Sequence, residues 1–332
     1  MNPILISVLR LVGLTGAGFA LFLWKPLRKR ALKPLLVITI DILFPLYFVH
    51  HFPVGWQEAV EGGGPWYMLA FFLACSLMFL AQFGIGKLLL AGGLKPEQPR
   101  QFLLLMTIHN AGFIPLPILA SFAPDAAMVY MFFYVLAFNV FFWGFAPAYV
   151  AAGSGTAGAD EDTAAADRPR VPRFRINPPL VGIALGLMLA LTDSYRFVPD
   201  LVQTGLRIGG NLSLDLVLVL LGGLLADIPR QKLHYRREFG WLIGIKMVVW
   251  PLAFLLVMPF VPLPGLSPEV ASAVRLAMVL EAAVPPATNI AVISKAYGSD
   301  AQLHYAGAGV IYSYAASALL LPLILIASFA LF

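Results

Sequence analysis

Two stretches of the 332-residue sequence set helix breakers and polar side chains inside otherwise apolar runs: Thr107-Ile-His-Asn-Ala-Gly-Phe-Ile-Pro-Leu-Pro117 and Glu281-Ala-Ala-Val-Pro-Pro-Ala-Thr-Asn289. A proline lacks a backbone donor and clashes with the preceding turn, so each run is expected to break near its middle. Beyond a break the next helix starts with free N–H groups at its positive dipole end, and two such starts pointing into one space favour an anion. Asn110 and Asn289 stand one beside each break. Their amides both donate and accept, which suits a carboxylate ligand and suits backbone capping equally. Thr288 offers a hydroxyl in the same place, with capping the more ordinary role.

Ionisable residues inside apolar runs are expensive and usually serve function. Asp41, His109 and Asp215 are of this kind and are candidates for carrying a coupled proton. The structural alternatives are a hydrogen-bonded pair of acids holding helices together and a packed histidine. Glu281 lies about one turn before its break, where it would line or guard the outer vestibule. Lys246 sits deep in its run and is expected to balance Asp215 or attract substrate. Arg275 is expected to snorkel at the outer boundary, and His50 and His51 to be solvated.

Other chemistries find no residues to carry them. There is no Gly-Lys-Ser/Thr phosphate loop, no His/Cys metal spacing and no hydrolase nucleophile elbow, and Cys75 is the single cysteine. The expectation is a protein without cofactor, metal or enzymatic activity.

The elements that must position these residues follow from composition. The chain is 60% hydrophobic and 12% charged, half the charge of a soluble domain, so most of it must face hydrocarbon. Apolar runs at about 3–24, 34–52, 65–91, 101–122, 126–151, 177–193, 201–227, 238–260, 269–296 and 301–331 predict about ten transmembrane helices. The runs lack the alternation of a barrel, so the fold class is an all-α membrane protein. The first run is read as a span and not as a cleaved signal, because its basic cluster follows the apolar stretch.

Lys and Arg gather in alternate connections: Lys25 to Lys33, Lys87 to Arg100, Arg168 to Arg175, Arg230 to Arg237, and Lys295. Only Arg196 and Arg207 fall in the others. Those connections are therefore cytoplasmic, both termini are outside, and the basic excess, 22 against 17 acids, serves topology and not nucleic acid. Residues 152–176, rich in Ala, Gly, Thr and acids and then in Arg and Pro, read as a cytoplasmic linker between units 1–151 and 177–332.

The two units match each other at an offset of 175 residues. Asn2-Pro3 meets Asn177-Pro178, Trp66 meets Trp241, Arg100 meets Arg275, Pro147 meets Pro322, and Asp125-Ala-x-x-x-Tyr130 meets Asp300-Ala-x-x-x-Tyr305. Asp41 and Asp215 fall one residue off that offset. Five spans per copy is an odd number, so the second copy enters the bilayer from the opposite side, giving two inverted five-helix repeats. The interrupted fourth and ninth runs then correspond, and a matched pair of interrupted helices is the sequence pointer to a transporter's binding site.

With these residues in place, the chain resembles the auxin efflux carrier family, which includes plant auxin exporters and bacterial organic-acid permeases. The resemblance rests on Asn110-Ala-Gly-Phe-Ile-Pro-Leu-Pro117, similar to that family's Asn-x-Gly-Phe-x-x-x-Pro motif, on Asn177-Pro178-Pro179, on Leu220-Leu-Gly-Gly-Leu-Leu225, and on Pro286-Ala-Thr-Asn289 followed by Tyr297-Gly298. It implies ten helices in two inverted halves, a scaffold part and a moving part, and a substrate site where the fourth and ninth helices cross. It carries Asn110, Pro117, Pro286 and Asn289 over as crossover residues. The chain departs from the family in having Pro115-Leu116 before Pro117 and in doubling the second proline as Pro285-Pro286. The long hydrophilic loop of the plant exporters is absent, so a bacterial-type permease is the nearer likeness. The family's substrates include malonate, malate and auxin.

The expected function is thus a secondary carrier for a small organic anion, a carboxylate, by alternating access, with coupling to protons as a second expectation. Its partners would be that anion, protons, the lipid bilayer and, as an oligomeric option, a second copy; its place would be the bacterial inner membrane. The alternatives are a sodium-coupled symporter of bile-acid-symporter-like fold, and a membrane sensor that binds an anion without moving it.

Overall fold

The computed structural model describes residues 3–153, 177–228 and 236–332, and these are almost wholly helical, with no strand among them. In order they form α1 (Pro3–Leu23), α2 (Lys25–Gly62), α3 (Gly64–Ala91), α4 (Pro99–Thr107), α5 (Pro115–Leu119), α6 (Asp125–Ala151), α7 (Pro178–Leu191), α8 (Asp200–Asp227), α9 (Arg237–Phe260), α10 (Pro268–Ala283), α11 (Asn289–Tyr297) and α12 (Asp300–Leu331). Six of them, α2, α3, α6, α8, α9 and α12, are long and apolar enough to cross a membrane. Large apolar side chains such as Leu77, Leu80, Leu88, Phe260 and Leu319 stand exposed on their outer faces. Such a surface suits lipid and not water. The linker expected over 152–176 lies, from residue 154 onward, outside the described residues.

The basic cluster Lys25 to Lys33 is not a connection, as the sequence reading had it, but the opening of α2. The chain turns at Trp24, whose backbone is extended (φ −70°, ψ 105°), and Pro26 takes an early helical position where no donor is missed. Helix α2 also contains two wide π-helical stretches, Arg28–Leu32 and Val37–Leu43, and α9 contains a third, Ile243–Val249. Each ends two residues before a proline: Pro34, Pro45 and Pro251. A proline ring collides with the carbonyl four residues back, and widening the preceding turn relieves that collision without breaking the helix.

Glycines set the closest helix approaches. A Cβ on Gly18 of α1 would collide with the Val219 carbonyl of α8, and one on Gly222 of α8 with the Thr15 carbonyl of α1. In the same way Gly182 of α7 lies on Pro45 of α2, and Gly210 of α8 on the Tyr47 backbone of α2. Small residues allow backbones to meet and maximise dispersion contact where lipid offers no hydrophobic drive. Helices α1, α8, α2 and α7 thereby form one panel. Of the remaining helices, α3, α4, α5, α10 and α11 pack on α6, whose Phe132, Tyr134 and Phe142 are fully buried, and α9 and α12 pack on α10. Edge-to-face contact of Phe132 with Phe48 at 5.0 Å joins this group to α2 of the panel.

Candidate functional site

Both interrupted apolar runs break, the first well ahead of Pro115 and the second at the residue before Pro285. Helix α4 ends at Thr107 and Ile108 turns extended (φ −87°, ψ 112°); α10 ends at Ala283 and Val284 does the same (φ −68°, ψ 146°). The two extended segments cross and pair antiparallel, with His109 opposite Pro286. The Asn110 N–H donates to the Pro285 carbonyl at 3.0 Å and the Ala287 N–H to the Ile108 carbonyl at 3.2 Å. Pro286 occupies the non-hydrogen-bonded position of this pair, so its missing donor costs nothing. Backbone groups freed by both breaks are thus partly satisfied by each other, as burial demands.

Successive residues of an extended segment point to opposite sides, and here the two sides differ chemically. Asn110 lines a cavity of about 450 Å³ together with Thr288 and Asn289 from the second break, Asp41 from α2, Asn139 from α6 and Asn177 at the start of α7. Phe44, Phe113, Phe138, Trp143 and Pro178 supply apolar walls. A cavity of this size, mostly apolar with a few convergent polar groups, suits a small organic solute. Among the described residues, no Lys or Arg lines it.

The polar groups are committed to different degrees. The Asn110 side chain accepts from the Phe113 N–H at 3.1 Å and donates to the Tyr314 hydroxyl at 2.7 Å, so it closes the turn of the break. Asn177 caps α7 by accepting from the Leu180 N–H at 3.0 Å and donates to Asn139 at 2.6 Å. The Thr288 hydroxyl, in contrast, is buried without a partner among the described residues although it stands at the N-cap of α11. Asn289 follows it as the first residue of that helix.

The dipole expectation needs one correction. Helix α11 has nine residues and aims its N-terminal end at the cavity, but α5 has only five, begins with Pro115 and contains Pro117. It offers neither a sizeable dipole nor a full set of free N–H groups. Pro117 is buried within α5 and does not line the cavity.

On the other side of the crossing lies a polar centre that the cavity does not reach. His109 is fully buried, its Nε2 2.7 Å from the Tyr134 hydroxyl and 3.5 Å from Glu281 Oε2. Lys246, 1% exposed, donates to the Met106 carbonyl at 2.6 Å and to Gln82 Oε1 at 3.1 Å. It therefore satisfies a carbonyl at the broken C-terminal end of α4, where a cation is also favoured by the dipole, and does not balance Asp215 as expected.

Asp215 pairs instead with Arg10 across the α1–α8 contact, 2.5 Å from its guanidinium and well outside the cavity, and it is not a partner of Asp41. Arg275 donates to the Met258 and Val261 carbonyls. His50 is not solvated but buried against the Tyr195 hydroxyl at 2.5 Å, and His51 lies 3.5 Å from Asp125. Sequence reasoning missed Asn139 and Trp143 as lining residues and did not connect Glu281 to His109. A polar Asn139 in the middle of an apolar span was a usable signal; for Trp143 there was none.

A second cavity, of about 430 Å³, lies between α1, α8 and α12 and is lined almost wholly by carbon, Leu11, Leu221 and Leu321 among its walls. Tyr314 lines it too, so the Asn110–Tyr314 hydrogen bond is part of the wall between the two spaces.

Residues 173–325 match the Mem_trans family, described as a membrane transport protein, as expected for a member of the auxin efflux carrier family. Among curated proteins no match to the chain was found.

Proposed function

With residues 173–325 placed in a membrane transport family of the auxin efflux carrier type, we propose that the protein is a secondary carrier that moves a small carboxylate by alternating access. The observation that carries this reading is the cavity of about 450 Å³ at the crossing of the two interrupted spans, where Asn110, Thr288 and Asn289 converge. Amide and hydroxyl donors, together with the N-terminal end of α11, can bind a carboxylate without an arginine and so without holding it too tightly to release. The panel of α1, α2, α7 and α8 is the scaffold of this proposal, and the group around α6 is the part that moves.

The proposal includes ten membrane crossings. The two interrupted pairs α4–α5 and α10–α11 and the shorter apolar α1 and α7 add four to the six long helices. It also includes two inverted halves, 1–151 and 177–332, joined by a cytoplasmic linker, with both termini outside and residence in a bacterial inner membrane. The distribution of Lys and Arg and the matched breaks support these points.

The test is a thermal-shift screen of the purified protein against malonate, malate, other mono- and dicarboxylates, amino acids and bile acids, with and without sodium. A ligand of the folded state raises the melting temperature by mass action. The expected result is sodium-independent stabilisation by a carboxylate, followed by its flux in liposomes. Stabilisation that requires sodium would move the reading to a sodium-coupled symporter. A bound carboxylate that never crosses the liposome membrane would move it to a sensor.

A further inference from the structure

The centre on the core side of the crossing is short of hydrogen-bond donors. Glu281 is wholly buried, and neither of its carboxylate oxygens has a hydrogen-bond partner among the described residues. The Tyr134 hydroxyl, 3.2 Å from Met78 Sδ and 2.7 Å from His109 Nε2, is engaged with these two atoms and not with Glu281. Buried acceptors without donors are rare and costly. One added proton on Glu281 supplies the missing donor.

The charges around this centre can be counted element by element. Helix α9 contributes Lys246, within electrostatic reach of the imidazole. Helix α3 contributes Cys75 and α6 contributes Tyr134, both within electrostatic reach of Glu281. Helix α5 has no ionisable residue, Arg275 of α10 is held by the Met258 and Val261 carbonyls, and Tyr314 of α12 is engaged by Asn110. Lys246 and Glu281 sum to zero whether both are ionised or both are neutral, and Asp41 of α2 lies on the cavity face, outside this pair. An anion entering beside Asn110, the neighbour of His109, adds one negative charge to the crossing, and one proton on the Glu281–His109 pair offsets it.

We propose that Glu281 and His109 form a single-proton site on the core face of the crossing, and that a carboxylate bound on the cavity face travels together with one proton held there. This rests on the carrier reading of the cavity and names its coupling ion. In the step itself a proton from solution forms an O–H bond on Glu281 as the anion binds, with His109 as the neighbour that sets the pH of uptake. The same bond breaks as the anion leaves on the other side. The proton and the anion favour each other's binding to the same degree, since linkage is reciprocal.

Malonate is the probe. With one proton bound per anion, wild-type affinity falls about tenfold per pH unit above the pair's titration, and a pH dye in weakly buffered solution reads one proton taken up per malonate. Glu281→Gln keeps the size and neutrality of the protonated acid. It is expected to bind malonate with no pH dependence and no proton uptake, and in liposomes to exchange malonate without accumulating it against a pH gradient. His109→Gln is expected to keep one-proton uptake and move the pH at which it occurs. Wild-type binding without proton uptake, or uptake unchanged in Glu281→Gln, overturns the proposal. If no carboxylate binds, the carrier reading fails first, and an infrared titration of ligand-free protein decides the proton site. A buried carboxylic-acid carbonyl band that titrates in wild type and is missing from Glu281→Gln supports the site, and no such band overturns it.

Discussion

His109 faces Pro286 where the two interrupted helices cross, at the kind of antiparallel position where partners exchange no backbone hydrogen bond. The bonds that hold the crossing belong to their neighbours, Asn110 to Pro285 and Ala287 to Ile108. Ala287→Pro would remove one of these donors and leave the buried Ile108 carbonyl unpaired, at a cost of about 1–3 kcal/mol. Pro286→Ala removes no bond and gives back only unfolded-state entropy, about 0.4–1 kcal/mol. Melting temperatures of the two purified variants should fall in that order, and the reverse order would show that these two bonds do not hold the crossing.

The two asparagines of the cavity should separate when each is replaced by alanine. Asn110 is tied to the Phe113 N–H and the Tyr314 hydroxyl, so Asn110→Ala should lower stability by about 1–3 kcal/mol as well as weaken carboxylate binding. Asn289, by contrast, carries no such ties among the described residues, so Asn289→Ala should weaken binding at nearly unchanged stability. Ligand-free melting and malonate-induced shifts, measured side by side, distinguish the two effects. Equal loss of stability in both variants would contradict this assignment.

Close packing of α1 on α8 gives a third expectation. A methyl group on Gly222 would meet the Thr15 carbonyl and the Phe19 and Gly18 backbone, none of which can rotate away. Gly222→Ala should therefore destabilise by about 1–3 kcal/mol. Gly13, on α1 but with open space around it, is the control: Gly13→Ala should be neutral or gain about 0.5–1 kcal/mol from helix propensity. Equal melting temperatures for these two variants would mean that the panel is looser than its glycines imply.

Asp215 belongs to a half-exposed ion pair with Arg10, their side chains 42% and 32% accessible. This pair lies apart from both the cavity and the Glu281–His109 centre. Asp215→Asn should leave transport and its pH dependence unchanged in liposomes, whereas Glu281→Gln should abolish the dependence. A changed pH profile in Asp215→Asn would return this residue to the proton pathway.

The long helices and the two breaks were legible because hydropathy and proline act locally. Asn110, Thr288 and Asn289 could be named from the sequence because each sits within a few residues of its own break. What those residues face was not legible. The pairing of Lys246 with Met106, of Arg10 with Asp215 and of Glu281 with His109 joins positions far apart in the chain, and nothing near any of them announces its partner. The helical start at Lys25 was missed for a different reason. A hydropathy window averages the charges of Lys25 to Lys33 into a loop, although Lys and Arg are good helix formers and snorkel at a bilayer edge. The shortness of α5 was hidden too, since Pro115 and Pro117 mark a break without telling how soon the next turn ends.

The wide turns ahead of Pro45 and Pro251 also bear on how such a chain tolerates insertions and deletions. A π-helical stretch holds one residue more than the α-helix it replaces, which turns everything before it by about 100° relative to everything after. Asp41 and Lys246 both lie inside such stretches, one toward the cavity and the other toward the buried centre. Deleting a single residue from Val37–Leu43 or Ile243–Val249 would re-phase half a span and swing these side chains toward other neighbours. Length in these two segments is therefore under tighter constraint than composition, and a lineage can change their apolar residues freely while keeping their count.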